Sequence, residues 1–336
     1  MCKFAPLCFL QFTVFANNQD SAQRVYRIGK EAISILERFK ITDRISDCYF
    51  SYYAGVAMPV ENFQLCADKL TQGFSSGLSH GNFNLGILCI AQAYYVHLFC
   101  GKNLRSLLQE IDCYINFLKS YKHEIAKNFL LGTREVVSTL IDKGQDTRIE
   151  TKASYGSSDK PSELFYFFEA TKCFWLGYKE RFKGLSSKCL DMFGHLPQFN
   201  MYQMKFYHGL YFIENLKKKR SKETLRLAIA DMREAACSSE WNFLNKLELL
   251  EAEEYSFDEK NDCALVSYDA SIASARNSTF IHEQGLACEK AGLHCKRVKD
   301  KERALKYFQQ AQKCYEEWGS GMKVAAIQRE LDSLQI

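Results

Sequence analysis

Apolar residues along the chain recur at intervals of three and four rather than two. Leu104, Leu107, Leu108, Ile111, Ile115 and Leu118 form one stripe, and Phe63, Cys66, Ala67, Leu70 and Phe74 form another. At about 3.6 residues per turn each set falls on one face of a helix, so both predict core-facing α-helices. The pattern predicts helices over 20–38, 43–56, 60–79, 83–99, 104–120, 122–141, 162–179, 181–193, 199–217, 222–237, 241–257, 260–275, 280–297, 301–317 and 321–334. Gly81, Gly101, Gly184 and Gly319 fall just past such stripes, where a left-handed residue stops a helix at little steric cost. Pro59, Pro161 and Pro197 lie between periodic segments and Pro6 lies near the terminus, where a missing amide donor breaks no helix. Short connections force consecutive helices into antiparallel hairpins.

The last helices contain an internal repeat. Ala264 and Tyr268 superpose on Ala304 and Phe308, and Ala252 falls opposite Gly292, at an offset of 40 residues. Small residues let paired helices approach while an aromatic fills the gap, and Gly292, Ala304, Phe308 and Ala311 have this tetratricopeptide-like spacing. The earlier unit supplies Ala252, Tyr255, Ala264 and Tyr268, with Ser271 where the later has Ala311. These eight positions, Ser271 excepted, are the candidate repeat-packing residues. The expected fold class is all-α, with antiparallel helical hairpins stacked as a TPR-like α-solenoid, an α-α superhelix. The polar segment 143–161, rich in Ser, Gly and Lys, reads as a flexible loop. It separates an N-terminal helical-repeat lobe over 1–142 from a C-terminal TPR-like lobe over 162–336.

Composition narrows the function classes. The chain has 336 residues, 47% of them hydrophobic, enough for a continuous core. Its 44 basic and 40 acidic residues nearly cancel, so no global field draws in nucleic acid. Fourteen cysteines scattered from Cys2 to Cys314 show no CxxC pair and read as small buried hydrophobes of a reducing, cytoplasmic setting. His282, Cys288, His294 and Cys295 lack finger or ribbon spacing, so no metal site is expected there. The apolar opening 1–16, with Lys3 ahead of the run and Val14 and Ala16 placed like a signal-peptidase site, has two readings: a cleaved signal or a buried first helix. It is too short to span a membrane, no later stretch is apolar enough, and the unpaired thiols favour the helix.

A family resemblance covers nearly the whole length. HEQGLACEKAGLHC and ALKYFQQAQKCYEEWGSGMKVAAIQREL, between His282 and Leu331, resemble the end of the helical region in large multidomain signalling kinases. RVYRIGKEAISILERF (Arg24 to Phe39), LTQGFSSGLSHGNFNLG (Leu70 to Gly86), HLFCGKNLRSLLQEI (His97 to Ile111) and Asn242-Phe243 are similar to the family in the same order. Trp318, Gly319 and Lys323 resemble its final helices. In that family a protein-kinase-like domain and an AAA-type ATPase precede this region, and a GAF domain and histidine-kinase module often follow. The resemblance implies that the opening run is a core helix. It carries over no catalytic residue, because no position here matches one.

The decoys have ordinary readings beside them. There is no GxxxxGK[ST] phosphate loop, and Asp191-Met192-Phe193-Gly194 echoes a magnesium-binding DFG without a Gly-rich loop or HRD segment. His123-Glu124-Ile125 begins like a histidine-kinase phosphoacceptor box but continues Ala126-Lys127-Asn128. Lys217-Lys218-Lys219-Arg220 with Lys222 is the only basic run and reads as a solvated turn. Phe165, Tyr166, Phe167, Phe168, Phe174 and Trp175 read as core rather than a base-stacking platform. Asn277-Ser278-Thr279 fits a glycosylation acceptor that only an exported chain would use. The expected function is a non-catalytic scaffold in intracellular signal transduction. It needs no cofactor, and its expected partner is a protein, an ATPase or kinase domain. The alternative is a piece of a larger ATPase or kinase whose catalytic domains lie elsewhere.

Overall fold

A computed structural model describes residues 6–8, 10, 22–142, 163–193, 199–215 and 219–335. The loop expected over 143–161, Pro161, Gly194, Pro197, Lys217, Lys218 and most of 1–16 lie outside these. Besides the helical residues 6–8 and 10, the described residues form fifteen α-helices and no strand. In order they are α1 (Ala22–Arg38), α2 (Ile45–Tyr49), α3 (Phe63–Ser79), α4 (Phe83–Phe99), α5 (Leu104–Leu118), α6 (Glu124–Ile141), α7 (Glu163–Leu176) and α8 (Lys179–Phe193). There follow α9 (Phe199–Asn215), α10 (Lys219–Ser238), α11 (Glu240–Phe257), α12 (Asn261–Asn277), α13 (Ile281–Arg297), α14 (Lys301–Trp318) and α15 (Gly321–Gln335).

The stripe residues face inward: Phe63, Cys66, Ala67 and Leu70 on α3 and Leu104, Leu107 and Ile111 on α5 are almost fully buried. Consecutive helices pack as antiparallel pairs, consistent with a helical-repeat solenoid. From α7 onward the odd-numbered helices α7, α9, α11 and α13 also pack on one another in sequence. They form an inner layer, and α8, α10, α12 and α14 an outer one.

The carboxy-terminal half runs on a strict register. Helices α12, α13, α14 and α15 begin at Asn261, Ile281, Lys301 and Gly321, and the left-handed residues before them are Glu259, Thr279, Lys299 and Gly319, with φ of 60°, 60°, 65° and 89°. At each stop the next amide reaches back five residues: Lys260 to the Tyr255 carbonyl, Phe280 to Ala275, Asp300 to Cys295 and Ser320 to Tyr315, at 2.9–3.0 Å. This double-bonded stop satisfies carbonyls that a helix end would otherwise leave open. Phe280 and Ser320, which follow the left-handed residue, are fully buried. Burial of Phe280 offsets part of the roughly 1–2 kcal/mol that the Thr279 side chain costs at positive φ.

Glycine marks some of these stops and misleads at one. Gly81, Gly101 and Gly319 have positive φ as expected, and so does Gly177. Gly184 does not end a helix. It sits inside α8, because the preceding helix stops at Leu176 and α8 starts at Lys179. The helix expected over 43–56 is a composite, with a 3-10 turn at Thr42–Arg44, α2, and a π turn at Phe50–Ala54. There the Tyr52 ring fills the space beside Gly29, where a Cβ would meet it at 2.7 Å.

Lys299 is exposed and left-handed, so Lys299→Gly removes strain without removing a contact. We expect a gain of about 0.5–1 kcal/mol, the relief of αL strain less the added freedom of the unfolded chain. Denaturant unfolding checks it; a loss of stability would show that the left-handed turn is not strained.

The two halves share one continuous cluster of buried apolar residues. Helix α15 packs on α6, and Ser320 Oγ donates to the Leu140 carbonyl at 2.8 Å. Asn103 Nδ2 donates to the Glu317 carbonyl at 2.9 Å. Buried Lys172 on α7 pairs with Glu169 on its own helix and with Glu135 on α6, and Arg181 on α8 reaches Glu169 at 2.9 Å. The array therefore closes through polar bridges as well as apolar contact.

Candidate functional site

Where α3 meets α9, α11 and α13, four phenylalanines enclose one lysine. Phe63 stacks edge-on with Phe199 and Phe243 at centroid distances of 4.7 and 5.7 Å. Lys246 Nζ lies 4.7 Å from the Phe280 ring centre and 5.9–6.0 Å from those of Phe63, Phe206 and Phe243. It donates to Glu283 Oε2 at 2.7 Å and to the Asn242 carbonyl at 2.9 Å. Asn245 Nδ2 donates to the same carboxylate oxygen at 2.6 Å. Burial pushes the Glu283 carboxyl up, but Lys246 and these donors overcome it and hold it below the usual carboxylate value. Asn242 closes the junction: its Oδ1 accepts from the Phe63 amide at 3.1 Å, and its Nδ2 donates to the Met58 and Glu61 carbonyls.

His282 stands beside this pair, fully buried, with its ring 5.3 Å from Trp318 and 6.0 Å from Trp175. Desolvation pulls its pKa down to about 4, helped by Lys246 and opposed by Glu283. A neutral ring is therefore held between aromatics. Gly101 makes room for it, since a Cβ at that left-handed position would lie 2.8 Å from His282 Nδ1. This cluster is sealed from solvent and ties Phe63 of α3 to α11.

The open feature lies one turn further along. A cleft of about 280 Å³ is walled by Trp175 and Leu176 of α7, Phe182 of α8, Tyr211 of α9, Leu286 and Leu293 of α13, and Met322 and Ala326 of α15. Lys179, Lys290, Lys323 and Arg329 also line it, with Glu289 as the one carboxylate. Lys323 Nζ pairs with Glu289 Oε2 at 2.6 Å, and the Tyr315 hydroxyl donates to that oxygen at 2.6 Å. Glu289 is thus engaged by both a cation and a hydroxyl. Burial, with Lys323 and Lys179 nearby, pulls the Lys290 amine down to about 7.

The repeat-packing residues lie apart from both features, in the interfaces of α11 to α14. Ala252, Ala264, Tyr268, Ala304, Phe308 and Ala311 are almost fully buried, and Tyr255 is half-buried. Gly292 and Phe308 meet directly: a Cβ on Gly292 would lie 2.7 Å from the ring. Tyr268 donates to Glu253 Oε1 at 2.6 Å. The other singled-out positions have local roles. His123 is the N-cap of α6, its Nδ1 accepting from the Ala126 amide at 3.3 Å. Lys222 pairs with Asp258, and Asp191 is exposed near the end of α8. Phe165, Phe167, Phe168 and Trp175 are core.

His282 and His294 are twelve residues apart on α13, about 18 Å along its axis, so one ion cannot bridge them. Among the described residues no group of three His, Cys, Asp or Glu side chains converges to hold a metal. No helix among them is long and apolar enough to cross a membrane.

The cleft residues Lys179, Lys290, Lys323 and Arg329 escape a sequence reading. Their one signal is a cation on an apolar row, as at Lys290 between Leu286, Ala287, Ala291 and Leu293. Comparison with the known protein families finds no match, and comparison with the curated proteins finds none either.

Proposed function

We propose that the protein is a non-catalytic helical-repeat scaffold that binds a protein partner in signal transduction. The observation that carries this is the two-layer stack in register, which spreads side chains of successive helices over one long surface. On the outer layer Leu227 of α10, Val266 of α12 and Leu305 of α14 are 64%, 70% and 38% exposed. A lone exposed apolar residue is ordinary, but recurrence on alternate helices makes a row that a partner can cover. A standard interface takes roughly 800 Å² from each side, less than such a stack offers. The resemblance to the helical region of multidomain signalling kinases supports an ATPase or kinase domain as that partner, supplied by another chain or by a longer form of this one.

Incubation of the purified chain with γ-labelled ATP and magnesium tests the non-catalytic part of the reading. The scaffold is expected to acquire no label. Phosphate on His123 would replace this reading with a divergent kinase.

A further inference from the structure

We propose that Cys314 of α14 and Cys288 of α13 form a peroxide-sensitive modification site, in which hydrogen peroxide oxidises Cys314 and Cys288 resolves it as a disulfide joining the two helices. The inference does not depend on the scaffold reading, which rests on the outer apolar row. Three observations carry it. The first is access. A groove of about 550 Å³ is lined by Arg276 of α12, Thr279, and Gln310, Lys313, Cys314 and Glu317 of α14. All of these but Cys314 are exposed, so the groove opens to solvent and the thiol, itself 5% exposed, lies in its wall. The second is juxtaposition. Cys288 Sγ reaches α14 at the same groove, donating to Gln310 Oε1 at 3.7 Å, and Cys314 follows Gln310 by one turn. The two helices run close together here: a Cβ on Gly285, one turn before Cys288, would lie 3.1 Å from Cys314 Cβ. The third is the state of the two thiols, which lie within hydrogen-bond reach of each other. A hydrogen bond from Cys288 holds Cys314 below the ordinary thiol value, with Arg276 and Lys313 helping against burial and Glu317. The same hydrogen bond, with burial, keeps the proton on Cys288. Cys48, Cys89 and Cys189 differ: burial pushes each of them up to about 12. The thiolate is the nucleophile, so Cys314 is poised to react where these are not.

The chemistry runs in two steps. The Cys314 thiolate attacks one oxygen of hydrogen peroxide; an S–O bond forms, the O–O bond breaks, and the departing hydroxide takes a proton from solvent and leaves as water. Cys314 is now a sulfenic acid. Cys288 Sγ then attacks that sulfur; the S–S bond forms, the S–O bond breaks, and hydroxide leaves with the Cys288 proton as a second water. Two electrons pass from the pair of sulfurs to the peroxide. An external dithiol returns them and restores both thiols.

The test is peptide mapping of the folded full chain after exposure to hydrogen peroxide in stoichiometric amount, with remaining thiols blocked by N-ethylmaleimide before trypsin digestion. Trypsin places Cys288 in the peptide Asn277–Lys290 and Cys314 in Cys314–Lys323, each with no other cysteine. We expect these two peptides joined, lighter than their sum by two hydrogens, at a peroxide exposure that leaves the exposed Cys113, Cys237 and Cys263 as thiols. Dithiothreitol added before the block should return both peptides as free thiols. In Cys288→Ser, which still offers a hydrogen-bond donor, the joined pair should be lost and dimedone should label Cys314 as the sulfenic acid. In Cys314→Ser, Cys288 should stay a thiol. The wild-type map decides the matter even where a variant fails to fold. Oxidation of the exposed cysteines while Cys288 and Cys314 remain thiols, or pairing of Cys314 with any other cysteine, overturns the proposal.

Discussion

Lys246→Met is expected to lower stability by about 3–5 kcal/mol, the cost of leaving one member of a buried ion pair without its partner. Both Lys246 and Glu283 are 1% exposed, so water cannot take the lysine's place. Asn245 and Gln203 remain to donate to Glu283, but neither carries charge. For a chain of this length the midpoint should drop on the order of 10 °C. Glu283→Gln in the same chain should restore much of the loss, because an amide needs no counter-charge. A double-mutant cycle measures this: a large coupling energy is expected, and simple additivity would mean that the pair does not hold the junction.

Lys290→Met should act in the opposite direction, raising stability on the order of 3 kcal/mol at pH 7. The amine is held at about 7 against an ordinary 10.5, first by burial and then by Lys323 and Lys179. The unfolded chain therefore binds this proton more tightly than the folded one. Stability is gained as pH rises from about 7 toward 10.5 and lost as pH falls through the same window. Methionine fills the same space without the charge, so its advantage should be large at pH 7 and nearly gone at pH 10. Denaturant unfolding at both values decides it, and an equal effect at both would place the amine in solvent.

Most of the helices were legible in the sequence because an apolar stripe is a local signal, and the described residues bear out the all-α fold of antiparallel pairs. Helix stops were legible where glycine marked them. They were hidden at Lys40, Glu259, Thr279 and Lys299, which take positive φ with back-reaching amide bonds to compensate, helped after Lys40 and Thr279 by the burial of Ile41 and Phe280. Gly184 misled for the converse reason: within a helix, glycine is tolerated at a modest cost. The cleft was not legible. Lys179 and Arg329 are 150 positions apart, and only the return of α15 onto α6 and α13 onto α11 brings their helices together. Lys246 and Glu283 were hidden the same way, each a lone charge on an apolar face until the junction pairs them.

The scaffold reading is tested most directly by partner binding with the outer apolar row intact and reversed. The wild-type chain and Leu227→Glu/Val266→Glu/Leu305→Glu would be immobilised, exposed to native lysate at moderate salt, and the recovered protein then purified and titrated against each. All three side chains are substantially exposed, so the triple variant should fold with an unchanged helical spectrum. The account predicts a saturable complex with the wild type and an affinity at least about tenfold lower for the variant, the loss of apolar anchors worth more than about 1.4 kcal/mol. Equal affinity for the two chains would contradict it.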